Sequence, residues 1–291
     1  MPSTKSDLAP KRVRLGNTRV TGKEQYYTPA DLAKSLINEV ITLVPDLANR
    51  TVIEPAGGTG SFIKAAQDVG VTKFLSFDIE PKHSLVKKAD FLTRNFKATD
   101  AVTISNPPFG RNNSLSIPFF NKAASHSEFI CFIVPRSWRK WSVINRLDRH
   151  FHLVADHDIL IDYEDEIGER LSKRTSLSTC FQIWQRRDDL RPLYKVRDMG
   201  VIAKCAPEEA DVALTIFGFS CGKVRTEFDR VPNSTVMFLR VLHPQALEAL
   251  NSVDFNRFAK NTAYTEALSL PEINYLLNEA IFGNPHLEEP S

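Results

Sequence analysis

The sequence predicts an α/β fold: a mostly parallel sheet with helices on both faces, followed by a smaller α+β piece. Three observations carry this. Short apolar runs alternate with segments of helical spacing as far as Gln185, the rhythm of strand–helix–strand units. The stretches of unusual composition, E-P-A-G-G-T-G-S-F (Glu54 to Phe62) and S-N-P-P-F-G (Ser105 to Gly110), each follow such a run. That is the strand end where parallel sheets bind their ligands. From about Arg186 the rhythm changes to closely spaced strand-like runs.

The elements follow in order. Thr28-Pro29-Ala30-Asp31 reads as a helix start, with a hydroxyl N-cap, a proline in first position and an acid in the first turn. Leu32, Leu36, Ile37, Val40, Leu43 and Val44 continue it at helical spacing, and Pro45 stops it. Thr51 to Ala56 is a strand, Gly57 to Gly60 a turn, and Phe62 to Val69 a helix closed by Gly70. Lys73 to Phe77 is a strand that ends at Asp78, and Ala101 to Ser105 is a third. A helix is expected near Phe119 to Ser125, then a strand from Phe129 to Val134 that is apolar on both faces. Ser137 to Arg149 suggests a helix; Phe151 to Leu160 and Ser178 to Gln185 suggest strands. Beyond these, Asp211 to Phe219, Lys223 to Phe228 and Thr235 to Val241 look like strands, and Pro244 to Leu250 and Pro271 to Ile281 look helical. The domain division is therefore a basic arm over 1–24, a catalytic-type domain over 25–187 and a small α+β extension over 188–291.

Composition narrows the class. No apolar run reaches membrane-spanning length, and the N-terminus lacks the apolar stretch of a signal peptide. Cys131, Cys180, Cys205 and Cys221 lie far apart, with no metal-ligand spacing. They read as reduced thiols of a cytoplasmic protein that needs no metal. The net charge of +2 is nearly neutral. Lys5, Lys11, Arg12, Arg14, Arg19 and Lys23 nevertheless make the first stretch basic, either a solvated tail or a phosphate-binding arm.

Two stretches carry chemistry. Glycines between a strand and a helix let a ligand approach the backbone, and the helix start favours an anionic group. The Glu54 to Phe62 loop has neither the Gly-Lys-Ser/Thr of a phosphate loop nor G-x-G-x-x-G. Asp78 closes the next strand, where an acid can accept from ribose hydroxyls. A ligand with a ribose and a carboxylate but no pyrophosphate fits, and S-adenosylmethionine is such a ligand. A turn that merely packs a helix on the sheet is the other reading. In S-N-P-P-F-G the tandem prolines fix φ and offer no N–H. They hold Asn106, two carbonyls and the Phe109 ring in a stiff turn.

Together these pieces resemble the amino-methyltransferases of the class I S-adenosylmethionine-dependent family, in particular the adenine-N6 nucleic-acid enzymes. Q-Y-Y-T-P at Gln25 to Pro29 resembles the motif that closes over the methionine end of the cofactor. E-P-A-G-G-T-G resembles motif I, with glycine at Gly57 where many members have cysteine, and F-D-I-E-P resembles motif II. A-D-F-L at Ala89 to Leu92 resembles motif III, and S-N-P-P-F-G motif IV. The order is that of the gamma arrangement. The resemblance implies a Rossmann-like fold with a seven-stranded sheet. It implies cofactor contacts from Tyr26, Tyr27, Thr28, Pro29, Glu54, Pro55, Ala56, Gly57, Gly58, Gly60, Phe62, Asp78, Ile79, Asp90, Phe91 and Asn106. It implies a catalytic unit of Asn106, Pro107, Pro108 and Phe109. In that unit the Asn106 oxygen and the Pro107 carbonyl accept from the adenine amine while Phe109 stacks on the base.

A base inside a duplex must be flipped out to reach such a site. P-R-S-W-R-K-W, Pro135 to Trp141, offers aromatics and cations that could hold it, through Arg136, Trp138, Arg139 and Lys140. The alternative is a helix with a solvated basic face and tryptophans in the core. The loop from Ile161 to Ser176 could rim the same pocket. His126, His150, His152 and His157 read as surface or packing residues. The expected partner is nucleic acid, DNA before RNA, with no membrane. A protein glutamine methyltransferase and a silent nucleic-acid-binding module are the remaining alternatives; oligomeric state is not predicted.

Overall fold

The computed structural model describes residues 27–162 and 177–288. Tyr26, the basic arm and most of the 161–176 loop lie outside the described residues. Seven strands form the main sheet: β1 (Thr51–Glu54), β2 (Lys73–Asp78), β3 (Val86–Lys88), β4 (Ala101–Ser105), β5 (Ser127–Pro135), β6 (Phe151–Ile159) and β7 (Thr179–Arg186). Their spatial order is β3-β2-β1-β4-β5-β7-β6. Pairs β1–β2, β1–β4, β2–β3 and β4–β5 are parallel. Only β7 runs against its neighbours β5 and β6. The chain therefore has a doubly wound α/β sheet, with the order reversing at β1/β4. A crevice forms there at the strand ends.

Helix α1 (Ala30–Leu43) and α2 (Ser61–Asp68) cover one face, and α3 (Ser116–Ala124) the other. Strand β5 explains why both faces are apolar. Its Phe129, Cys131 and Ile133 enter the core under α1 and α2, while Ile130, Phe132 and Val134 enter the core under α3, the alternation of a strand. On the α3 side Phe120 makes edge contacts with Phe132, Trp138, Phe151 and Trp184, at centroid distances of 5.5–6.1 Å. Full burial of that ring contributes about 2–3 kcal/mol from area alone.

The sequence expectations need three corrections here. Helix α1 begins at Ala30, and Thr28 supplies no cap; its hydroxyl is used elsewhere. Short strand β3 was not expected, because two of its three residues are lysines that face solvent at the sheet edge. Ser137 to Arg149 is not one helix. A 3₁₀ turn (Arg136–Arg139) and α4 (Trp141–Ile144) meet at Lys140, whose backbone is extended.

Residues after β7 build a second core. Strands β9 (Ile202–Lys204), β10 (Val212–Thr215), β11 (Val224–Arg225) and β12 (Val236–Val241) form an antiparallel sheet in the order β11-β10-β12-β9. Helices α5 (Ala246–Ser252), α6 (Asn256–Ala259) and α7 (Leu270–Phe282) pack on it. A two-stranded ribbon pairs β8 (Lys195–Val196) with β13 (Leu287–Glu288). Among the described residues no helix is long and apolar enough to cross a membrane. All four cysteines are free thiols.

Candidate active site

Strand β1 ends at Glu54 and the chain turns at once through Gly57 to Gly60 into α2. Each glycine answers a different constraint. Gly58 and Gly60 have φ of 42° and 77°, where side chains are strained. A Cβ on Gly58 would lie 2.9 Å from the Tyr27 ring, and one on Gly60 2.6 Å from His83. Gly57 is a matter of space: its Cβ would meet Ser76 Oγ at 2.4 Å and Val86 Cγ2 at 2.8 Å. Glycine in place of cysteine at this position thus fits the loop tightly against β2 and β3.

Asp78, at the end of β2, ties the turn down. Its Oδ2 accepts from Gly58 N–H and its Oδ1 from Glu80 N–H, both at 2.8 Å. Each carboxylate oxygen keeps a lone pair for a further donor. Ile79 follows, exposed at the rim.

Glu54 is the unusual group. Only 2 % of it is exposed, and its Oε1 accepts from Ser105 Oγ at 2.6 Å. Burial holds its carboxyl well above the usual carboxylate range; the Ser105 bond opposes this, and the Asp78 charge adds to it. The Ala56 N–H also donates to this carboxylate, but both donors are neutral, and a buried acid held only by neutral donors is a site for a cation. Ser105 was not singled out from the sequence, because nothing there links β4 to an acid fifty-one residues earlier.

Asn106 follows directly. Its Nδ2 donates to Thr28 Oγ1 at 3.2 Å, so Oδ1 faces away from that bond. Thr28 is buried just before α1, which explains its absence from the helix cap. The Pro107 carbonyl accepts no hydrogen bond from the described residues. The Phe109 carbonyl takes Leu115 and Ser116 N–H, at 3.2 and 3.3 Å, closing the loop onto α3. A cavity of about 30 Å³ lies between these elements, lined by Tyr27, Thr28, Glu54, Gly58, Phe62 and Asn106 among others. The structure thus brings together the expected residues of the Tyr27–Pro29 stretch, the glycine loop and S-N-P-P-F-G.

Other expected contacts fall elsewhere. Phe91 is buried among Phe77, Phe96 and Phe119, with centroids 5.4–6.2 Å away, so its ring is core and offers no face to a ligand. Asp90 caps its own turn through Leu92 N–H at 2.9 Å. Trp138 is fully buried, and its indole N–H donates to Ser116 Oγ. Arg136 pairs with Asp158 at 2.7 Å, and Arg139 with Asp156 and Asp158 at 2.6 and 2.8 Å. Lys140 pairs with Glu272 of α7 at 3.1 Å. The reading of this stretch as direct substrate contacts is corrected for Trp138, Arg139 and Lys140: one is core and the cations are already neutralised. His157 lies beside Glu39, and His126 stacks near Phe96, as expected of surface or packing residues.

No family model matches the chain. Two type II methyltransferases of Haemophilus influenzae, M.HincII and M.HindII, are each 30 % identical over 109 residues, covering 36 % of this chain and 19 % of the relative. The chain thus spans about a fifth of the length of the curated relatives it matches. TrmN from Thermus thermophilus superposes with a TM-score of 0.40 at 15 % identity, covering 54 % of this chain and 49 % of that one. The 23S rRNA methyltransferase ErmE superposes with a TM-score of 0.39 at 14 % identity, covering 57 % of this chain and 71 % of that one. At these values the fold assignment rests on the sheet order itself.

Proposed function

We propose that the chain transfers a methyl group from S-adenosylmethionine to the N6 amino group of adenine in nucleic acid, with DNA as the favoured substrate. The observation that carries the reading is the placement of Asn106. Its amide is held by Thr28 at a cavity that the glycine loop and a buried Glu54 also line.

The residues fit the cofactor. Glu54 would receive the methionine ammonium, which compensates its burial. Gly57 to Gly60 leave room for the cofactor backbone to approach. Asp78 would accept from ribose hydroxyls with its remaining lone pairs. Ile79 would flank the cofactor's adenine, Asp90 would accept from that ring's amine with the lone pairs its Leu92 bond leaves, and Tyr27, Thr28 and Pro29 would close the methionine end. The bound cofactor supplies an electrophilic methyl on a positively charged sulfur.

The chain's own part is to prepare the nucleophile. An adenine amine has its lone pair delocalised into the ring. Asn106 Oδ1 and the Pro107 carbonyl would accept hydrogen bonds from its two N–H groups and bias the nitrogen towards tetrahedral geometry, and the methylated nitrogen would then release one of those protons to solvent. Pro107 and Pro108 keep that carbonyl fixed and free of competing donors, which is preorganisation. Phe109 would offer a face to the flipped base. The likeness to type II methyltransferases and the gamma motif order support DNA.

The test is nucleoside mass spectrometry. Wild type and Asn106→Ala are expressed in cells lacking adenine methylation, and DNA and RNA are digested separately. N6-methyladenine is expected in DNA with wild type only. Methylation in RNA alone would replace the substrate, and equal methylation by Asn106→Ala would remove the mechanism.

A further inference from the structure

The stretch expected to hold an unstacked base is spent on internal pairs, yet the molecule exposes aromatic rings elsewhere. The turn after β10 carries Phe217, 48 % exposed, and Phe219, fully exposed. Gly218 and Gly222 give the turn its shape, with φ of 96° and 91°. Facing it is the segment before α7, which carries Tyr264, 60 % exposed. The two segments are joined: Phe217 bridges Ala267, and Gly218 N–H donates to the Glu266 carbonyl at 3.0 Å.

This pair of loops stands beside the candidate active site. The Ala263 carbonyl accepts Ser178 N–H at 2.8 Å, and the Ser178 carbonyl accepts Arg136 N–H at 3.0 Å. Arg136 follows the carboxyl end of β5, the same sheet edge as Asn106. Ala263 and Phe109 pack against one hydrophobic core. The basic stretch supports the loops from below, since Lys140 Nζ donates to the Ala267 carbonyl at 3.4 Å.

Charge selects the occupant. Lys223 ends the aromatic turn, and Lys260 follows Ala259, whose carbonyl holds Ala267 N–H. Both lysines are exposed and neither has an ion pair among the described residues. Glu266 is half-buried and close enough to Cys221 for its charge to raise that thiol. One fully exposed ring with two half-exposed ones beside it, flanked by exposed lysines, matches a strand with unstacked bases, where rings stack on bases and cations meet phosphates. A glycine-shaped turn has no packing need for a phenylalanine in open water.

We propose that Phe219, with Phe217 and Tyr264, forms a stacking rim that grips the nucleic-acid strand next to the target adenine, with Lys223 and Lys260 on its phosphates. This rests on the nucleic-acid reading above. The test is fluorescence anisotropy with a labelled, adenine-containing single-stranded oligonucleotide and, separately, its duplex. Phe219→Ala is expected to weaken oligonucleotide binding about tenfold, and Phe217→Ala/Phe219→Ala further, with S-adenosylmethionine affinity unchanged. Lys223→Gln should reduce the salt dependence of binding. Phe219 touches little else, so its loss leaves the fold intact, which circular dichroism checks. Wild-type binding with both phenylalanine variants within about twofold of it would overturn the rim alone and assign the rings to a protein partner. A wild type that binds neither oligonucleotide would overturn the rim together with the nucleic-acid reading.

Discussion

Asn106 carries an amide whose two ends differ, and only the oxygen can accept from an amine. The bond from its Nδ2 to Thr28 Oγ1 fixes which end is spent. Thr28→Val keeps the shape and removes the acceptor. Methyl transfer should then fall about tenfold to a hundredfold in kcat, with nucleic-acid KM little changed and activity recovered in Thr28→Ser; steady-state kinetics reads the split. Glu54 makes a second, independent case. Its pKa is raised in the folded chain by burial, so its protonated form favours the unliganded fold, and that contribution is lost as pH rises through the raised pKa. A cofactor ammonium beside it favours the carboxylate instead. Cofactor binding should therefore release a proton wherever Glu54 is still protonated, and affinity should fall as pH is lowered. Calorimetry in buffers of different ionisation heat detects the proton, and Glu54→Gln should abolish both effects.

Elements show why some of this was legible in sequence and some was not. Strands β1, β4 and β5 announce themselves because each is apolar on both faces, and the glycine loop because its composition suits no packed element. The Thr28–Asn106 and Ser105–Glu54 bonds join residues far apart in sequence, so spacing could not reveal them. The basic stretch misleads for the same reason: its partners Asp156, Asp158 and Glu272 come from β6 and α7. Gly57 is intermediate, since the sequence shows a glycine but not its cause. With Ser76 Oγ and Val86 Cγ2 inside contact distance of a Cβ, Gly57→Ala should destabilise the fold by about 1–3 kcal/mol. Adding Ser76→Gly should restore part of that, because the two sites are in contact. Urea unfolding of the single and double variants measures both.

At the scale of the whole molecule, the two cores must hold a fixed relation if the exposed rings are to serve the site beside Asn106. The joint is short and mixed in character. Trp141 stacks on Tyr275 at 5.3 Å and lies 5.4 Å from Phe258, while Lys140 pairs with Glu272, whose side chain is 3 % exposed. Glu272 has a second task. It closes the capping box of α7, accepting from Ser269 N–H at 2.7 Å and from Ser269 Oγ at 2.8 Å. The two halves of the ion pair are therefore unequal. Lys140→Met removes the charge but keeps the packed stem, and it leaves the carboxylate its two Ser269 donors and the helix start intact. Glu272→Leu strands Lys140 and also opens the helix start, so it should cost about 3–5 kcal/mol for the broken pair and about 1 kcal/mol more for the cap. Lys140→Met should cost distinctly less. Urea unfolding followed by tryptophan fluorescence gives the order. A larger loss for Lys140→Met would mean that the joint depends on the charge of the lysine rather than on the cap it approaches.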